Sequence, residues 1–143
     1  MTILDARAIT RTIDCPFDAA YAFASLPENF PEWASGMSSS LHRDGARWLA
    51  ETPAGTATVR FSPPNAFGVL DHWVSLPGKP EIYIPLRLVA NGEGTEVVFL
   101  LFRQPGMSDE DFFADAATVT KDLKALKRLL EGESAEWRDR PER

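Results

Sequence analysis

Few side chains in this chain are suited to moving a proton or recognising a polar group, and the candidates are His72, Tyr83 and Arg87. His72 lies in Gly68-Val69-Leu70-Asp71-His72-Trp73-Val74, where strand alternation puts it on the face of Leu70 and Val74, opposite Asp71 and Trp73. An imidazole with an unperturbed pKa of about 6.5 on an apolar face can act as general acid or base, or orient a ligand carbonyl. The same position suits a hydrogen-bonded structural histidine. Arg87 shares a face with Tyr83 and Val89 unless Pro85 shifts the register. Turned inward, that guanidinium and phenol would bind a carboxylate, a phosphate or an enolate oxygen; turned outward, the arginine stem merely covers the sheet.

Trp33 and Trp48 offer large, rigid apolar area with one N–H each, as pocket walls or as ordinary core. Arg60 alternates with Thr56 and Thr58, opposite Ala57, Val59 and Phe61, which reads as the wet face. Nucleophiles fare poorly: Cys15 precedes a proline with no local basic residue, and Ser38, Ser39 and Ser40 lie in no nucleophile elbow. One cysteine and two histidines, His42 and His72, supply no metal-ligand signature, so no metal and no cofactor are expected. Lys and Arg total 15 against 21 acids, for a net charge of −6, and form no basic block, which argues against nucleic acid or an anionic membrane.

These residues must be positioned by a chain of 143 residues, 44% apolar and 25% charged, the size of one globular domain. Residues 1–131 are read as that domain and 132–143 as a charged tail. Ala6 to Asp14 alternates as a strand. Pro16 then opens a short helix to Ser25, and Pro27 to Trp33 leaves room for a further turn or two. Candidate strands follow at Ser38–Arg43, Arg47–Thr52, Thr56–Phe61, Val69–Val74, Glu81–Val89 and Thr95–Phe102. The turns between them (Asp44-Gly45, Pro53-Ala54-Gly55, Pro63-Pro64-Asn65, Pro77-Gly78 and Asn91 to Gly94) are short enough to imply antiparallel neighbours. Pro85 cannot donate to a ladder and predicts a bulge or an unpaired stretch.

After Gly106 the period changes to 3.6: Phe112, Ala116, Val119, Leu123, Leu126 and Leu130 form the stripe of a helix of about 23 residues, roughly 35 Å long. Ser108 with Asp111 predicts its cap, and acids early and bases late match its dipole. The helix should stop at Gly132, with Trp137 in a frayed tail. The strand Val97–Phe102, which contains Phe99, is apolar on both faces, so something must cover the outer one. The tail, an adjoining loop or another subunit could do so, and a second copy of the chain is the expected occupant.

Several phrases resemble the START-like superfamily, also called SRPBCC. They are Ile9 to Ile13 followed by Cys15-Pro16-Phe17-Asp18-Ala19-Ala20-Tyr21-Ala22-Phe23, Trp33 after the second short helix, Asn91-Gly92-Glu93-Gly94-Thr95-Glu96-Val97 before the last strand, and Asp122 to Glu131 at the chain's final helix. The resemblance implies an α+β helix-grip fold. In it a curved antiparallel sheet of about six or seven strands wraps a long C-terminal helix, with two short helices after the first strand. It also implies a cavity between sheet and helix without naming its contents.

The first expectation is therefore a binder of a hydrophobic or aromatic small molecule, with Trp33, Trp48 and Phe99 as walls and His72, Tyr83 and Arg87 as polar contacts. The second is a polyketide cyclase or dehydratase type of enzyme, in which His72 or Tyr83 moves a proton and Arg87 steadies an enolate. That requires the three to converge on one point in the cavity. A chaperone-activator-like interaction domain is the third. No apolar run of membrane length and no secretory leader is present, so the expected address is cytoplasmic.

Overall fold

The structure is a computed structural model that describes residues 2–35 and 41–133. The start of the candidate strand at Ser38 and the tail with Trp137 lie outside the described residues. Strand β1 (Ala6–Ile13) leads into α1 (Phe17–Ala24) and a 3-10 turn (Pro27–Glu32). Then come β2 (His42–Asp44), β3 (Arg47–Thr52), β4 (Gly55–Phe61), β5 (His72–Ser75), β6 (Ile82–Ile84), β7 (Leu86–Asn91) and β8 (Gly94–Phe102). The described residues close with α2 (Asp109–Arg128) and a π-helical turn (Leu129–Glu133), which runs through Gly132 where a clean stop was expected.

All strand pairs are antiparallel, and they form two sheets ordered β1-β8-β7 and β2-β3-β4-β5-β6. The expected hairpins are present, but β1 pairs with the last strand, so the sheet is not a plain meander. Eight strands are found among the described residues where six or seven were expected, because the run from Glu81 to Val89 divides. Pro85 is the reason. It has no N–H for a ladder, so the chain leaves β5 with β6 and joins β8 with β7, while the Pro85 carbonyl accepts the Leu100 N–H at 3.0 Å. The expected strand from Val69 also starts later: Leu70 N–H donates to the Leu86 carbonyl at 2.8 Å, and regular pairing begins only at His72.

The apolar stripe of α2 faces the sheet, with Phe112, Ala116, Val119, Leu123, Leu126 and Leu130 all buried. Ile9 and Ile13 of β1, Leu86 and Leu88 of β7 and Val97 of β8 meet it in one core. Ser108 caps the helix by accepting the Asp111 N–H at 3.1 Å. At the other end Lys127 Nζ donates to the Thr12 carbonyl at 2.9 Å, and Glu131 accepts the Asp14 N–H at 2.6 Å, tying the end of the helix to the end of β1.

Candidate functional site

Register decides which side chains face inward. Trp48 pairs with Val59, and Phe61 with His72, so alternation sends Trp48, Val59, Phe61 and His72 to one side of the sheet. Above them stand Tyr21 of α1, Phe30 of the 3-10 turn and Trp33 at its end. Together these enclose a cavity of about 330 Å³ whose walls include Tyr21, Phe30, Trp33, Trp48 and Phe61. Phe30 is the hub. Its ring meets Trp33 at 5.0 Å, Phe61 at 5.4 Å and His72 at 5.1 Å, each nearly edge-on. Such pairs are favourable by about 0.5–1.5 kcal/mol beyond their buried area, so the wall is set before any ligand arrives. Trp33 is 4% exposed, and its Nε1 is buried with no partner among the described residues.

His72 faces inward, but it packs behind the walls Phe30 and Phe61 and does not itself line this cavity. Its Nδ1 lies 3.1 Å from the Leu70 carbonyl. Burial pushes the imidazole pKa down, opposed by that carbonyl and by Asp71, so the neutral form is favoured. Tyr83 and Arg87 lie on the other face. The Tyr83 hydroxyl donates to Asp71 Oδ2 at 2.7 Å, and Arg87 grips the same carboxylate through Nε and Nη2, each at 2.8 Å. Asp71 Oδ1 also accepts the Leu86 N–H at 2.9 Å.

The three polar candidates therefore do not meet at one point. Asp71 is the residue that organises two of them. It is 5% exposed, and burial alone would raise its pKa, but the bonds from Arg87, Tyr83 and Leu86 hold it below the usual carboxylate range. The same contacts raise the pKa of Arg87, and the bond to Asp71 raises that of Tyr83. Arg60 is on this outer face too, stacked over Trp73 at 4.2 Å and paired with Glu81 at 3.3 Å.

The space expected between sheet and C-terminal helix is a separate cavity of about 230 Å³, bordered by Tyr83 and Phe99 together with Asp115, Thr118 and Val119 of α2. No α2 residue lines the aromatic cavity, which is walled instead by α1, the 3-10 turn and the β3–β4 hairpin. Of the expected walls, Trp33 and Trp48 thus serve one cavity and Phe99 the other. Tyr21 was missed, because at helical spacing after Phe17 it reads as one more apolar-stripe residue. Among the described residues no three His, Cys, Asp or Glu side chains gather as a metal centre requires, and no helix is long and apolar enough to cross a membrane.

No protein-family profile matches the chain, and no curated protein matches it in sequence. Solved structures do match in shape. One is DynU16, from the dynemicin biosynthetic locus, with a TM-score of 0.68 at 18% identity over 90% of this chain; the chain spans 48% of that protein. The Aha1 dimer from Colwellia psychrerythraea matches with a TM-score of 0.68 at 14% identity, over 92% of this chain and 99% of that one. Ara h 8.0201 matches with a TM-score of 0.62 at 15% identity, over 90% and 99%. At such identities the likeness establishes the helix-grip fold and carries no activity with it.

Proposed function

We propose that this START-like chain binds a small hydrophobic or aromatic molecule in the cavity walled by Tyr21, Phe30, Trp33, Trp48 and Phe61. The observation that carries this reading is that aromatic side chains from separate elements surround 330 Å³ of space and leave it unfilled. Ligand pockets run from roughly 300 Å³ upward, and a chain with this much ring area in one place had the means to close the gap. The cyclase-type alternative asks for His72, Tyr83 and Arg87 around one substrate, and their separation on two faces favours the binding reading over it. Binding takes place in the cytoplasm, on a protein that pairs with a second copy through the outer face of Val97–Phe102, where Val98, Leu100 and Phe102 are half-buried beside exposed Ala6 and Ala8.

The test is titration with N-phenyl-1-naphthylamine, a neutral fluorescent apolar probe. Saturable one-to-one binding with quenching of tryptophan emission is expected, and Ala46→Trp at the exposed rim should weaken it while the protein stays folded. A signal that rises linearly without saturation, unchanged by the rim substitution, refutes the reading.

A further inference from the structure

We infer that the Tyr21 hydroxyl orients the ligand by donating a hydrogen bond to it, and that the ligand is a neutral aromatic molecule carrying an acceptor oxygen. This rests on the proposed binding cavity and goes on to say what the cavity selects.

The phenol is fixed before binding. Its oxygen accepts the Asn65 N–H at 2.9 Å, and Asn65 is itself locked into the loop between β4 and β5. Asn65 Oδ1 accepts the N–H groups of Phe67 and Val69, and its Nδ2 donates to the Pro63 and Val69 carbonyls, each at 3.0 Å. The Tyr21 ring also lies against Phe17, with centroids 6.4 Å apart and planes 16° from parallel. The hydroxyl proton meets no acceptor among the described residues. A hydroxyl that already accepts an N–H is polarised toward donation, so this group has one role left to fill.

The rest of the lining restricts what can fill it. Among the described residues no carboxylate lines the cavity, so a cationic amine meets no counter-charge from them. Arg60 is the one cation in the lining among the described residues, and its guanidinium is turned outward onto Trp73 and Glu81, away from an anionic ligand. The Ser62 hydroxyl is already committed as a donor, to the Asp71 carbonyl at 2.6 Å. The walls favour flat rings, and Tyr21 favours a carbonyl or ether oxygen at their edge.

The experiment compares fluorene with 9-fluorenone, which differ at one carbon of the same tricyclic frame. Tryptophan quenching gives both affinities, and the infrared carbonyl band of bound 9-fluorenone reports the hydrogen bond. The wild-type protein is expected to prefer the ketone by about three- to tenfold, the range of one net hydrogen bond, with the carbonyl band moved to lower wavenumber. Tyr21→Phe, checked for folding by thermal melt, is expected to erase both the preference and the band shift. Equal affinities in the wild type overturn this inference while the cavity still binds. A preference that survives in Tyr21→Phe also overturns it, by assigning the donor to Ser25 or to Trp33 Nε1. Saturable binding of neither compound overturns the cavity reading itself.

Discussion

Asp71 sits where Pro85 interrupts the strand pairing, and its carboxylate replaces the partner that the Leu86 N–H loses there. Arg87 and Tyr83 are its supports. Removing one partner of a fully buried ion pair costs about 3–5 kcal/mol, but the Arg87 side chain is 47% exposed and can rehydrate. Asp71→Asn is therefore expected to cost about 1–3 kcal/mol at neutral pH, read as a lower urea midpoint. The sign of the pH dependence follows from the lowered carboxyl pKa. The unfolded carboxyl titrates near pH 3.8, so the contribution of Asp71 is complete above that pH and is lost as pH falls toward the folded value. Asp115 and Asp122 have the opposite sign, because burial raises both, aided at Asp115 by Asp111 and opposed at Asp122 by Ser35. Comparison of wild type with Asp71→Asn cancels them, and the gap between the two midpoints should narrow from pH 5 to pH 3; a constant gap contradicts the assignment. His72 acts in a higher window. Its lowered folded pKa means that the unfolded chain takes up the proton first, so stability should begin to fall as pH drops below 6.5. Its imidazole resonance should titrate below 6.5 in a pH series, and a midpoint at or above that value would show that it is not buried as described.

The loop from β4 to β5 shows how an element holds the site. Gly68 has φ of +74°, and a Cβ there would stand 2.2 Å from the Leu88 carbonyl oxygen and 2.9 Å from Phe17. The same glycine carbonyl accepts the Leu88 N–H at 2.8 Å. Gly68→Ala is expected to cost about 2–4 kcal/mol, combining the left-handed conformation with a backbone clash, and to loosen Asn65 and hence Tyr21. Gly92→Ala has positive φ but open space around it, so about 1–2 kcal/mol is expected; equal urea midpoints for the two variants would contradict the packing argument. Elements of this kind differ in how far they can be read from sequence. The α2 stripe, its Ser108 cap and the turns at Gly45, Gly55 and Gly92 are local patterns, and each stands where the period or the turn chemistry puts it. Alternation groups His72 with Leu70 and Val74 and sets Arg60 opposite Val59 and Phe61, but it does not say which face is the inner one. Asp71 and Tyr21 were illegible for a physical reason. Their partners lie 12 to 16 residues away for Asp71 and 44 for Tyr21, and they meet only because Pro85 splits a strand and Asn65 folds back onto α1. Pro85 was visible as an anomaly, but a sequence does not say that two sheets part at it.

At the scale of the whole molecule the two proposed contacts fall on different sheets, the cavity against β3 and β4 and the self-contact on the outer face of β1-β8-β7. The cavity opens among α1, the 3-10 turn and the β3–β4 hairpin, while Val98, Leu100 and Phe102 face outward from β8. Part of that outer row is already covered from within, since the Tyr83 ring stacks on Phe102 at 6.5 Å and Arg87 pairs across from Val98. Ala6 and Ala8 beside the row are exposed and small, and Val89 at the far edge is 51% exposed, so a second sheet can approach closely. A stable contact of this type buries about 800 Å² per partner, which requires most of the three-stranded sheet and not β8 alone. Sedimentation at micromolar concentration is expected to show a dimer, and Ala8→Glu, which adds a charge to the middle of that surface, should convert it to monomer; a wild-type monomer throughout eliminates the self-contact. Leu86 of β7 lines the cavity, but none of Ala6, Ala8, Val98, Leu100 and Phe102 does, so the Ala8→Glu monomer should bind N-phenyl-1-naphthylamine with the wild-type affinity. An affinity that changed with the oligomeric state would mean that the two faces are coupled through the sheet, since linkage makes any such effect reciprocal.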